Sequence, residues 1–142
     1  MCIDFIDLNK VCPKDNFPLS RIDTLVNQAA GSEMLSFLDC FSDYHQIWMR
    51  KEDEKFTSFI TPFETYYFVR MAEGLRNAGT IFVRMTSTVL HKQIGKNLLT
   101  YVDDIVVKSK KREDHIEDLR ETFTNMRKAN LKLNFKKCTF EV

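Results

Sequence analysis

The sequence predicts an α+β fold, with helices packed on an antiparallel sheet. Three observations carry that expectation. Short apolar runs of strand length mix with helix-period segments, without strict βα alternation. Two of those runs are separated only by Asp103-Asp104, which is hairpin spacing. Residues 112–128 place Ile116, Leu119, Phe123 and Met126 at helical intervals and fill the other positions largely with charge.

Taken in order, Cys2-Ile3-Asp4-Phe5 reads as the middle of a strand, so the chain is expected to begin inside a fold. Residues 9–20 are loop-like, with two prolines and an Asp-Asn pair as turn formers. Ser20 is placed to cap a helix over 21–30 whose face carries Ile22, Leu25, Val26 and Ala29. Leu35 to Leu38 is a short strand running into Asp39. Phe56 to Ile60 and Tyr66 to Met71 are strands of a hairpin turning at Thr61-Pro62-Phe63-Glu64, preceded by an exposed acidic turn at 52–54. A helix fits 75–90 through Leu75, Ala78, Phe82, Met85 and Val89. Leu98 to Val102 and Ile105 to Lys108 are apolar strands, and Leu131 to Leu133 is a last short one.

At 142 residues the chain suits one domain, and 44% hydrophobic with 29% charged residues is a globular balance. Lys+Arg 21 against Asp+Glu 20 leaves a net charge of +1, so composition alone does not point to nucleic acid. The basic run Lys108-Ser109-Lys110-Lys111-Arg112 suits either a phosphate backbone or a solvated loop. Cysteines at 2, 12, 40 and 138 lack metal-ligand spacing and read as reduced thiols of an intracellular protein. No run is long enough to span a membrane. His45, His91 and His115 share no ligand spacing and read as surface or packing residues; Trp48 reads as core.

The chemistry is expected at the carboxylates. Asp103 and Asp104 sit inside an apolar β-type run, where ionised acids are costly without a cation or donors. Asp39 likewise ends an apolar strand. A plain Asp-Asp turn and a strand-ending cap are the ordinary alternatives. If the strands are neighbours, three acids without His or Cys suit magnesium, which prefers oxygen ligands. Two such ions serve phosphoryl transfer.

Six segments resemble the reverse transcriptases of gypsy-type long-terminal-repeat retrotransposons. Cys2 to Lys10 resembles "C-V-D-Y-R-x-L-N"; Ser36 to Ile47 resembles "S-x-L-D-x-x-S-G-Y-H-Q-I". Thr57 to Phe63 resembles "T-A-F-x-T-P-x", and Gly74 to Ala78 the end of "M-P-F-G-L-x-N-A". Tyr101-Val102-Asp103-Asp104 matches "Y-x-D-D", and Leu131 to Asn134 with Lys137-Cys138 resembles "L-x-L-N-x-x-K-C". The resemblance covers the chain in order. It implies an RNA-directed DNA polymerase core with the fingers and palm of a right-hand polymerase and no thumb. Fingers would take about 1–34 and 46–72, and palm about 35–45 and 73–142.

By the same resemblance Asp39, Asp103 and Asp104 form a catalytic triad for two Mg²⁺ ions, or Mn²⁺ in their place. Cys40, Phe41, Tyr44 and Gly74 belong to the nucleotide site, with Tyr44 the gate against a 2′-hydroxyl and Phe41 acting through its backbone. Leu75, Asn77 and Tyr101 belong to the template and primer side. Implied partners are a primed RNA or DNA template, a dNTP, and the remaining pol segments: thumb, connection and ribonuclease H. Four departures stand out. Ile6 replaces an Arg that grips the triphosphate, Asp43 replaces a Gly, Ala72-Glu73 replaces Pro-Phe, and Phe135 replaces a Pro. Lost and reversed charge near the nucleotide predicts a copy of low or no activity. The competing expectations are a non-catalytic nucleic-acid- or protein-binding remnant that keeps the palm, and an unrelated metal-dependent nuclease or cyclase.

Overall fold

The computed structural model describes residues 3–142. Residues 3–5, expected within a strand, are irregular, and the first element is a helix, α1, Ile6–Val11. Asp4 Oδ1 accepts the Ile6 N–H at 2.9 Å, a local side-chain bond that turns the chain into the helix instead of leaving it extended. Phe5 is buried with its ring edge-on to Phe68, and Cys2 lies outside the described residues. Of the expected 9–20 loop, residues 9–11 belong to α1, while 12–20 are irregular and lead to α2, Ile22–Ala29. Its N-cap is Arg21 without a side-chain cap bond, so Ser20 does not cap it. Ile22 and Val26 of its apolar face are exposed.

The main sheet contains β1 (Met34–Asp39), β4 (Leu98–Tyr101) and β5 (Asp104–Ser109), antiparallel in the order β1-β5-β4. The register pairs Met34 with Ser109 through to Asp39 with Asp104, and on the other side Leu98 with Val107 through to Tyr101 with Asp104. Along the outer edge of β1, Phe37 bridges Thr139 and Leu35 exchanges both backbone bonds with Val142 at 2.8 Å. The Leu131 to Leu133 strand is reduced to one bridge, Cys40 to Leu133.

Between these strands, Lys51–Glu54 forms a one-turn helix, α3, and Lys55–Thr57 a 3₁₀ turn, so the acids at 52–54 are helical. The expected hairpin is shorter than its apolar runs: β2 (Phe59–Ile60) and β3 (Thr65–Tyr66). Thr61 Oγ1 accepts the Phe63 and Glu64 N–H groups and closes its tip. Beyond it, Met49 and Met71 reach across to Val69 and Ile47 by main-chain bonds. Trp48 is 68% exposed and is not core; the Arg70 guanidinium stacks on it, 3.4 Å from the ring centroid.

Helices α4 (Ala78–Val89) and α5 (His115–Lys128) cover one face of the sheet. The core joins Phe82 of α4, Leu119 and Met126 of α5, Leu38, Ile105 and Val107 of the sheet, with Leu90 and Leu98. The expected stripe on α5 is rotated. Ile116 is exposed, whereas His115, Leu119, Thr122 and Met126 are buried. Polar residues take two core positions because their hydrogen bonds are satisfied there, a possibility periodicity of apolar residues cannot register.

Candidate active site

Strand pairing brings the acids together. Asp39 and Asp104 are direct cross-strand partners, which sets their Cα atoms about 4.5–5.5 Å apart. Their side chains share the face opposite the buried row Ser36, Leu38, Ile105 and Val107. Asp103 lies in the two-residue connection between β4 and β5, beside Tyr101, which opposes Asp104. Val102 completes that connection in the left-handed region at φ 53, a conformation costly for a β-branched side chain and often stored at functional sites.

The acids act on one another. Partial burial and the charges of Asp103 and Asp39 raise the Asp104 carboxyl. Asp43 is pushed up to about 6, by burial first and then by Asp103 and Asp39, and its Oδ1 is buried without a partner. Burial raises the Tyr44 hydroxyl, followed by the charges of Asp103, Asp43 and Glu73. One cation is close: Lys137 Nζ lies 3.9 Å from Asp39 Oδ2. The turn carrying it also holds the Asp39 backbone, through Asn134 N–H to Asp39 O at 2.9 Å and Asp39 N–H to Cys138 Sγ at 3.4 Å. Lys137 was not among the sequence-derived site residues, although it stands beside Cys138 in the last segment of the resemblance; its nearness to Asp39 comes from the chain reversal.

Tyr44 stands in the 3₁₀ turn Asp43–Gln46, entered through Ser42 at φ 50. Gln46 braces that turn by donating to Phe41 O and Lys132 O and accepting from Lys132 N–H. The Tyr44 ring meets Phe82 edge-on at 5.9 Å. Its hydroxyl sits 3.7 Å from where a Cβ on Gly79 would lie, with Val102 beside it at 3.8 Å. Tyr44, Asp43, Asp103 and the 102 turn therefore share one corner above α4.

The other predicted positions divide. Phe41 is exposed beside this corner, whereas the Cys40 side chain is 1% exposed and belongs to the core. Burial, then the charges of Asp43 and Asp39, push its thiol up to about 12. Gly74 takes φ 88, and its carbonyl accepts from Asn9 Nδ2 at 2.8 Å. Leu75 and Asn77 line a separate cavity of about 430 Å³ with Trp48, Phe56 and Ile81, away from the acids. Asn77 spends its side chain on the 12–20 loop, donating to Pro13 O at 2.8 Å and accepting from Asp15 N–H at 3.0 Å.

Among the described residues, no group of three or more His, Cys, Asp and Glu side chains is already arranged to hold a metal ion. The donor set of Asp39, Asp103 and Asp104 nevertheless suits a hard divalent cation, being all-oxygen and mutually repelling. No helix is long and apolar enough to cross a membrane among these residues. The three described cysteines are free.

A family model described as "Reverse transcriptase (RNA-dependent DNA polymerase)" matches residues 1–142. The chain is 36% identical over 140 residues to the retrovirus-related Pol polyprotein from transposon opus of Drosophila melanogaster, covering 99% of this chain and 14% of that protein. It is 34% identical to the Pol polyprotein from transposon gypsy of the same fly, again over 99% of this chain and 14% of the relative. The Tf2-3 polyprotein of Schizosaccharomyces pombe is 31% identical, over 99% and 10%. The chain thus spans a small part of each relative. Among solved structures, foamy viral protease-reverse transcriptase in complex with an RNA/DNA hybrid superposes with TM-score 0.87 at 19% identity, covering 96% of this chain and 18% of that one. The same protein with double-stranded DNA gives 0.88 at 19%, covering 96% and 24%. At that identity the likeness speaks for the fold.

Proposed function

The chain belongs to the reverse transcriptase (RNA-dependent DNA polymerase) family, and on that footing we propose that it is a polymerase core that adds deoxynucleotides to a primer 3′-hydroxyl on an RNA or DNA template. The observation that carries this reading is the pairing of Asp39 with Asp104, far apart in the chain, with Asp103 in the adjoining turn. In it, residues of about 1–34 and 46–72 serve as fingers, and about 35–45 and 73–142 as palm.

Asp39, Asp103 and Asp104 would hold two Mg²⁺ ions, whose chemistry is to lower the pKa of the attacking hydroxyl and to offset charge on the triphosphate and departing pyrophosphate. The protein contributes position. Its paired strands hold two carboxylates side by side, and the tight turn presents the third. Tyr44, braced against Phe82, offers a flat ring to the sugar and leaves little room for a 2′-hydroxyl. Phe41 and Gly74 present backbone to the nucleotide; Leu75, Asn77 and Tyr101 face template and primer. Further pol segments would grip the duplex.

Asp43 and Glu73 bring negative charge to the Tyr44 corner, and Ile6 has no cationic fork for phosphate. We therefore infer weak activity. Asp43 favours a second reading, a palm that binds nucleic acid or protein without catalysis, because its unpaired oxygen opposes an incoming triphosphate. Primer extension on an RNA template with Mg²⁺ tests the first reading, with Asp103→Asn as control. Slow extension by the wild type, lost in the variant, supports it. Calorimetry with Mg²⁺ and dNTP tests the second: equal heats from wild type and Asp103→Asn remove the metal-site argument.

A further inference from the structure

On the helix-covered face of the sheet lies a buried chain of polar side chains that nucleotidyl transfer does not use. His115, first residue of α5, is 1% exposed; Ser36 of β1 and Ser109 of β5 are 0% and 2% exposed. His115 Nε2 lies 2.7 Å from Ser36 Oγ, and Nδ1 lies 2.8 Å from Ser109 Oγ. Ser109 Oγ donates to Asp118 Oδ2, and Asn97 Nδ2 donates to Asp118 Oδ1 at 2.7 Å. Ser36 Oγ accepts the Glu141 N–H at 3.2 Å.

The directions of these bonds fix one ring proton. Ser109 has one hydroxyl proton and gives it to Asp118, so Nδ1 must carry hydrogen toward Ser109 Oγ. On a neutral ring Nε2 is the acceptor, and Ser36 donates to it while accepting from Glu141.

This arrangement answers a question the apolar pattern leaves open. Met34, Ser36 and Leu38 of β1 and Ile105, Val107 and Ser109 of β5 form the buried face. Pleat alternation forbids a slip of one residue but is indifferent to a slip of two, which keeps every side chain on its face. The β4–β5 register is set by a two-residue connection, whereas β1 arrives from a distant part of the chain with no turn to fix it. A two-residue slip would set Asp39 opposite Val106 and carry it about 7 Å along the strand from Asp104.

In the observed register Ser36 pairs with Val107 and Ser109 with Met34, so the two serines are diagonal neighbours. Such neighbours on one face stand about 7–8 Å apart, too far for hydroxyls to meet and suited to an imidazole bonding through both nitrogens. The slip toward Val106 would set the serines face to face and leave the ring no place between them. The opposite slip would draw them further apart.

We propose that His115 is a positioning residue: by bridging Ser36 and Ser109 it selects the β1–β5 register and thereby sets Asp39 opposite Asp104. The functional meaning rests on those acids being the working pair, but the register is measurable without any activity. In isotope-labelled protein, cross-strand nuclear Overhauser contacts should place Asp39 opposite Asp104, with Nδ1 of His115 protonated. In His115→Leu those contacts should weaken at least fivefold, with contacts from Asp39 to Val106 or Val102 appearing. His115→Gln, which keeps a donor and an acceptor, should restore them. A His115→Leu protein that keeps the single native set, merely melting lower, overturns the proposal, as does a wild-type ring that lacks a proton on Nδ1. If His115→Leu does not fold, Ser36→Ala carries the same test, and a native set at full strength is again fatal. Absent primer extension with the native register intact would sink the polymerase reading and leave this one standing.

Discussion

Asp43 is the residue whose chemistry is easiest to isolate. It binds its proton more tightly in the fold than in the unfolded chain, since its carboxyl is pushed up to about 6 from an ordinary value of 3.8. Its contribution therefore favours the fold below the ordinary value and is lost as pH rises through about 6. Asp43→Asn should match the wild type near pH 4 and exceed it at pH 8, by on the order of 1 kcal/mol once solvent screening is allowed for. Thermal melts across that window check the sign; equal melting temperatures throughout would discard the electrostatic account. At the acids proposed to be catalytic, Asp103→Asn should reduce primer extension at least roughly 100-fold, the scale of losing one charge-stabilising group. The carboxylates were legible in the sequence because ionised acids inside apolar runs demand a reason. Lys137 was not, since nothing about an isolated lysine says that a chain reversal will lay it beside Asp39. Cys40 shows another limit: its motif nominated it for the nucleotide site, and strand alternation turns its thiol into the core.

Elements with a strong period were read correctly, and their ends and faces were not. Helix α4 keeps Phe82 at 0% exposure, where its ring supports both the core and Tyr44. Phe82→Ala should cost about 3–5 kcal/mol in denaturant unfolding; a loss under 1 kcal/mol would mean the ring is not the support described. The 2–5 segment read as a strand, yet within its described residues 3–5 the Asp4 bond to the Ile6 N–H leads into a helix, a hydrogen-bond choice invisible to hydropathy. On α5, apolar spacing nominated Ile116, and the buried position belongs to His115. A polar residue earns a core place through its partners, and those partners come from β1 and β5.

Across the molecule, the contacts that matter are long-range: β1 against β5, residues 139–142 against β1, and Asn77 against the 12–20 loop. The antiparallel α+β class could be anticipated from the mixture of periods, but adjacency of β1 and β5 required pairing information that no local stretch contains. Burial is also uneven. The sheet and its two helices hold the core, while Ile60 and Phe63 of the β2–β3 hairpin stand 85% and 90% exposed. That unevenness gives the Trp48–Arg70 stack a practical consequence. Trp48 is the single tryptophan, so ultraviolet-excited emission reports the hairpin's surroundings and is blind to the carboxylate sheet. In a urea titration the emission should shift before the far-ultraviolet circular dichroism collapses, because thinly buried segments open first. Superimposed curves would instead mean that the hairpin and the sheet melt as one body.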